Sequence, residues 1–192
     1  ISAGINAAFE NNEITHMPID NATGEEKVID QDGLYGRSAG RSLYDIYTRE
    51  YAGVDSETGA SQWYRYYNEV DGSKEYIRDW ASYMRDNEGD IGTIGKEPTS
   101  VYSDATEKWI DKSPIPTVRG SFDLNATYKG FTLTAMFTYS LGGYVLDYGY
   151  AAMMNEGQYG ESLHPDLLDG WRQPGDDTDI PRMENGNTDI NP

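Results

Sequence analysis

Two crowded acidic stretches are the first residues to test for chemistry. Asp86, Glu88 and Asp90, followed by Glu97, stand at positions 1, 3, 5 and 12 of a calcium loop of the EF-hand kind, where carboxylate oxygens would ligate a hard cation. Position 6 of that frame is Ile91, where the sharp turn needs glycine, and this argues against the site. Asp176, Asp177 and Asp179 crowd a second stretch, but a solvated loop screens their repulsion without a metal. No metal ligand and no cofactor is therefore expected. His16 and His164 are isolated, with no triad partner at an interpretable spacing, and the chain has no cysteine to serve as nucleophile or thiolate ligand. Carboxylate pairs for glycoside hydrolysis could be drawn from so many acids, but the reaction depends on a separation in space that spacing along the chain does not give. No catalytic residue stands out, and the chain is read as a non-enzyme.

Aromatic side chains offer a different chemistry. Tyr144, Tyr148, Tyr150 and Trp171 lie in polar, loop-like sequence and could stack on a sugar face or a peptide side chain; such residues also build interfacial girdles and pack loops on one another. With 16 Tyr against 4 Phe, the chain favours aromatics that are apolar at one end and wet at the other. Tyrosine also favours strands, so β structure must supply the frame.

Strands are legible by alternation. Val118, Gly120, Phe122, Leu124, Ala126 and Tyr128 alternate with Arg119, Ser121, Asp123, Asn125 and Thr127; after Lys129-Gly130, Phe131, Leu133, Ala135, Phe137 and Tyr139 alternate with Thr132, Thr134, Met136, Thr138 and Ser140. Two strands of about ten residues joined by a two-residue turn make a hairpin of the length a tilted transmembrane strand needs. Ile1, Ala3, Ile5, Ala7 and Phe9 repeat the pattern as a third strand, and because Ile1 already sits inside it, the chain reads as an internal piece of something larger. A second, less cleanly alternating hairpin is expected over 42–68, around the turn 53–59. Long polar connections are expected over 11–41, 69–116 and 142–192, lengths that compact soluble domains rarely tolerate and outer-membrane barrels carry on one side. If Lys129-Gly130 is periplasmic, counting directions puts 55–59 on the periplasmic side as well and every long connection outside.

No window reaches the roughly 18 apolar residues of a spanning helix, so a membrane protein of this composition could only be a barrel. A mean hydropathy of −0.73 is compatible with that, since barrel strands alternate and their loops are polar. A net charge of −18 repels a phosphate backbone and excludes nucleic acid as a partner. The expected fold class is all-β: antiparallel strands forming part of a large transmembrane β-barrel, about five strands over 1–192, with long extracellular loops. Leu124 and its row face lipid in that reading, while Arg119, Asp123 and Asn125, with Thr132 and Thr134, line a wet lumen and become candidate substrate contacts. The competing fold is a surface glycan-binding β-sandwich, which would cover the apolar face with a second sheet.

Several strings resemble the SusC/RagA-type TonB-dependent outer-membrane transporters, in the order of that barrel's last third. They are 6–14 (NAAFENNEI), 40–64 (GRSLYDIYTREYAGVDSETGASQWY, with Ser56 at the family's usual proline), 112–143 (KSPIPTVRGSFDLNATYKGFTLTAMFTYSLGG) and 171–182 (WRQPGDDTDIPR), the last being the most specific. The resemblance implies a bacterial outer-membrane barrel of about 22 strands. It implies a SusD-like lipoprotein lid and import of oligosaccharides or peptides driven by TonB. The plug that contacts TonB and the last strands would lie outside these residues.

Overall fold

The computed structural model describes residues 1–88, 90–154, 160 and 162–183. Along the chain run β1 (Ser2–Phe9), β2 (Asp30–Asp32), β3 (Tyr35–Arg37), β4 (Tyr47–Arg49), β5 (Tyr51–Val54), β6 (Ser61–Val70) and β7 (Ser73–Ile77). They are followed by α1 (Trp80–Asp86), β8 (Thr93–Thr99), β9 (Glu107–Trp109), β10 (Val118–Tyr128), β11 (Phe131–Leu141) and α2 (Tyr148–Met154), with 3₁₀ turns at Tyr102–Asp104 and Pro165–Asp169. The structure is thus mostly antiparallel β, and no described helix is long and apolar enough to cross a membrane. Two compact units divide the chain: Ile1–Ile46 with Asp111–Val145, and Tyr47–Ile110 with Leu146–Pro192.

The first unit is built on a sheet in the order β1-β10-β11. β10 and β11 pair without a slip from Val118 opposite Leu141 to Tyr128 opposite Phe131. Lys129 (φ 46°) and Gly130 (φ 87°) both take the left-handed conformation that lets a two-residue turn follow the twist of its strands. β1 lies along β10, Ser2 opposite Asn125 and Phe9 opposite Val118. Because the side-chain period is two, this register brings Ile5, Phe122 and Phe137 into one row and Ala3, Leu124 and Ala135 into the next. Phe122 and Phe137 stack with ring centroids 4.6 Å apart. The alternation expected of these three strands is therefore present, and its apolar face is open: Ile5 is 80% exposed, Leu133 59% and Phe137 53%. A sandwich would lay a second sheet on this face; among the described residues none lies there.

The 42–68 segment contains the expected hairpin, β5 pairing with β6 around residues 55–60, but not its full first strand. Its first strand is broken at Glu50 into β4 and β5, β4 pairs with β9, and β5 pairs with β6, so the segment contributes no strand to the β1-β10-β11 sheet. Since β1 and β10 are direct partners, residues 10–117 leave and re-enter that sheet at the end opposite Lys129-Gly130, and the direction count that placed 55–59 has no intervening wall strands to rest on. Among the described residues that sheet holds three strands. The cause is visible in the side chains: Arg49 and Arg65 share faces with aromatics and bind Glu107 (2.6 Å) and Glu97 (2.5 Å), partners in β9 and β8. A face carrying such charges is unsuited to lipid.

The second unit folds around β6, which pairs with β5, with β7 through a tight turn at Asp71-Gly72, and with β8 along 63–69. Residues 69–116, expected as a polar connection, thus contain three strands and a helix. Ile77, Ala105, Thr106 and Asn68 are essentially removed from solvent. Tyr47 links the core to α1: its ring meets Trp109 edge-on at 4.8 Å, and its hydroxyl donates to Asp79 Oδ2 (3.0 Å) and accepts the Ala81 N–H (3.2 Å). Asp79 Oδ1 caps the helix by accepting the Ser82 N–H (2.7 Å), and burial first of all pushes the Tyr47 hydroxyl well above its ordinary pKa.

Candidate functional site

The polar face of the three-stranded sheet carries Arg119 and, four and six residues further along β10, Asp123 and Asn125. Arg119 is ion-paired with Glu10. Asn6 donates to Ser121 Oγ (2.6 Å) and accepts the Ser121 N–H (3.1 Å), Asn125 donates to Asp123 Oδ2 (3.4 Å), and the Thr127 and Thr132 hydroxyls meet at 3.2 Å. Asp123 sits over Gly4, where a Cβ would lie 2.5 Å from its Oδ1; the missing side chain is what makes room for the carboxylate. The result is a ladder of amides and hydroxyls with one ion pair at its Arg119 end, suited to hydration and to hydrogen bonding of a polar ligand.

Beyond β11, the Tyr144 N–H donates to Ser113 O (2.9 Å) and its half-exposed ring receives Lys112 Nζ 4.1 Å from the centroid. A cavity of about 430 Å³ in the same unit is lined in part by Phe9, Glu10, Asn12, Ser42 and Asp45. Asn12 Oδ1 fixes its wall by accepting the Ser42 hydroxyl (2.9 Å) and the Leu43 N–H (3.0 Å), which gives Asn12, just past β1, a structural task.

The remaining expected contact residues belong to the second unit. Tyr148 opens α2 and is 72% exposed. The Tyr150 hydroxyl donates to Asp166 Oδ2 (3.0 Å), a bond that raises its pKa, and its ring meets His164 edge-on at 4.9 Å. His164, read as isolated, caps the Pro165–Asp169 turn by accepting the Asp166 N–H on Nδ1 (3.2 Å). Trp171 donates from Nε1 to Ser56 O (2.8 Å), and its ring lies over Gly59.

The acidic stretches have other occupations than calcium. Glu97 is held by Lys74 Nζ (2.7 Å), Arg65 Nη2 (2.5 Å) and the Tyr76 hydroxyl (3.0 Å), which together lower its carboxyl to about 2. Asp86 binds the neighbouring Arg85 (2.7 Å). Asp176 accepts the N–H groups of Arg172 (2.9 Å) and Gln173 (3.0 Å), first of the causes that hold it below the usual carboxylate range. Among the described residues no three metal-ligating side chains converge. What the sequence did not reveal is the ring-and-charge lattice on β6: Arg65 lies 3.9 Å over Tyr76, Lys74 4.1 Å over Tyr67 and Lys96 3.6 Å over Tyr64, while Tyr66 donates to Glu50 (2.5 Å). Its signal is the opposite-charge pair Arg65–Glu97, readable only once β8 is placed beside β6.

No protein-family model matches the chain, and no curated protein sequence does. Solved structures do, among them the RagAB peptide transporter, at 27% identity and a TM-score of 0.68, and the RagAB peptide importer in its closed-closed state, at 27% and 0.67. Each match covers 94% of this chain and 17% of the other, so the chain spans about a sixth of the length of these relatives. The SusC/RagA resemblance read from the sequence is thus carried by structure as well, at the level of a segment.

Proposed function

We propose that this chain, a segment of SusC/RagA type, works as part of an outer-membrane barrel that imports peptides, or oligosaccharides by the same framework, together with a SusD-like surface lipoprotein and with energy supplied through TonB. The observation that carries this reading is the open apolar face of the β1-β10-β11 sheet, opposite a continuous polar face: one side is suited to lipid and the other to a wet lumen. The free edges of β1 and β11 call for further strands of the same wall. The two similar structures are a peptide transporter and a peptide importer, which favours peptide cargo over glycan.

In this reading Arg119, Asp123 and Asn125 line the lumen, and Tyr144, Tyr148 and Tyr150, all with exposed rings, meet cargo or the lipoprotein outside the membrane. Trp171 acts through the loop it holds. The test is purification of the tagged full-length protein from detergent-solubilised outer membranes, with mass spectrometry of whatever accompanies it. A heat-modifiable barrel carrying a lipoprotein in equal amount and a mixture of short peptides is the expected result. Recovery from a detergent-free soluble fraction, or a barrel with neither companion, would overturn it.

A further inference from the structure

The turn at 55–59 and the segment 171–182 fit one another in a way the import mechanism does not require. Asp55 organises the turn: its Oδ1 accepts the N–H groups of Glu57 (2.8 Å) and Thr58 (3.2 Å), and its carbonyl accepts that of Gly59 (2.7 Å). The turn's own donors are thereby used, while the carbonyls of Ser56, Thr58 and Gly59 stand outside that network. Residues 171–182 supply four donors to these three carbonyls. Trp171 Nε1 (2.8 Å) and the Gly175 N–H (2.9 Å) reach Ser56 O, Arg182 Nη1 reaches Thr58 O (2.7 Å), and the Arg182 N–H reaches Gly59 O (2.8 Å).

The docking segment is itself preformed. Asp176 gathers the N–H groups of Arg172 and Gln173, and Trp171 N–H to Ile180 O (3.0 Å) closes its neck. Gly59 is the point of closest approach: a Cβ there would lie 2.4 Å from the Trp171 ring and 3.0 Å from Arg182 Cβ, and its φ of +72° disfavours any other residue.

We infer that residues 171–182 are a strap, with Gly59 and Trp171 as positioning residues: docking on the 55–59 turn closes the chain ahead of Trp171 and so holds Tyr148 and Tyr150 ready for an incoming peptide. The use of those rings rests on the proposed import function; the docking does not. Tethering the far end of a segment reduces the conformations it must lose when a ligand binds, which is how a contact remote from cargo sharpens affinity.

The test uses the full-length protein in intact cells, with four variants. Gly59→Ala places a methyl in the indole's position. Gly53→Ala is its control, since Gly53 has φ +104° but nothing within 4 Å of a Cβ, so it shares the strain without the clash. Trp171→Ala removes ring and donor, and Trp171→Phe keeps a ring but loses the N–H.

Added protease should cleave residues 162–170 about tenfold faster or more in Gly59→Ala and Trp171→Ala, by way of local opening, with Trp171→Phe between them and the parent and Gly53→Ala near the parent. The amount of folded barrel should be unchanged, and the half-saturating peptide concentration for uptake should rise severalfold at an unaltered maximal rate. Cleavage equal in Gly59→Ala and Gly53→Ala, or a parallel loss of folded barrel in Trp171→Phe, would overturn the strap. If Gly59→Ala fails to reach the membrane, Trp171→Phe decides by the same readouts. Faster cleavage with no peptide uptake in any variant, parent included, would leave the strap standing and sink the import reading.

Discussion

In the sheet of β1, β10 and β11 the large apolar side chains, Ile5, Phe122, Leu133 and Phe137, stand outward, and the polar ones form a ladder on the reverse face. Around β6 the arrangement is inverted: Ile77, Ala105 and Trp109 are turned inward, and charged and aromatic side chains are tied together outside them. The second arrangement is that of a protein region solvated by water. The first is stable only against another apolar medium, because an exposed Phe-Ile-Leu face in water forfeits the burial that ordinarily offsets chain entropy. One chain therefore carries two sheets of opposite character, one with its large apolar side chains outward and one with them inward.

Truncating a buried core residue should have the largest effect, and only in the second unit. Ile77→Ala leaves a cavity beside Thr106, whose hydroxyl donates to Ile77 O and accepts the Tyr66 N–H (2.8 Å), and should destabilise that unit by about 2–5 kcal/mol. Hydrogen exchange on the full-length protein should show faster exchange in β6, β7 and β9 with β10 and β11 unchanged. Exchange rising equally in both regions would mean that the two do not have separate cores.

The same charge should separate the two faces of one strand. Leu124→Arg places a cation on the face proposed to meet lipid, where it would cost about 2–4 kcal/mol, whereas Asn125→Arg, one residue on, enters the polar ladder. The fraction of full-length protein folded as a heat-modifiable barrel should fall far more for the first. Equal losses would remove the distinction between the faces.

A smaller effect belongs to the turn that joins β10 to β11. Lys129 holds φ 46° without the local side-chain compensation that asparagine offers, so Lys129→Asn should stabilise the hairpin by up to about 1 kcal/mol, seen as slower exchange at Tyr128 and Phe131. No change, or faster exchange, would mean that Lys129 is held by something other than backbone preference.

The smallest effect is on pH. Glu97, held near 2, contributes stability in full above the ordinary glutamate pKa, and that contribution is lost as pH falls from about 4.5 through about 2. Solvent screening keeps it modest. Glu97→Gln should flatten the acid limb of second-unit exchange between those values; an unaltered limb would assign it to other carboxylates.

These contrasts also explain what the sequence revealed. β1, β10 and β11 were legible because a strand wet on one face and greasy on the other must alternate, and Lys129-Gly130 marks its turn. The second unit was less so, because β6 reads SQWYRYYNEV, with tyrosine on both faces and Arg65 between Trp63 and Tyr67 on one of them, and its order comes from partners as far off as Glu97 and Thr106. Trp171 was singled out for its chemistry as a stacking ring, but its position over Gly59 rests on a pairing more than a hundred residues apart in sequence, which no local pattern encodes. Arg119, Asp123 and Asn125 share one face of β10 because alternation alone fixes it, whereas what they touch is not encoded in that pattern.

The account stands on the facing of β10, and a cysteine scan reads that facing directly because the chain has no native cysteine. Single cysteines at 121–126 of the full-length protein, spin-labelled in bilayers, should alternate: oxygen-accessible labels at 122, 124 and 126, and labels accessible to a water-soluble paramagnetic reagent at 121, 123 and 125. Six labels with no period of two, or apolar-row labels reached preferentially from water, would contradict the membrane wall on which the rest is built.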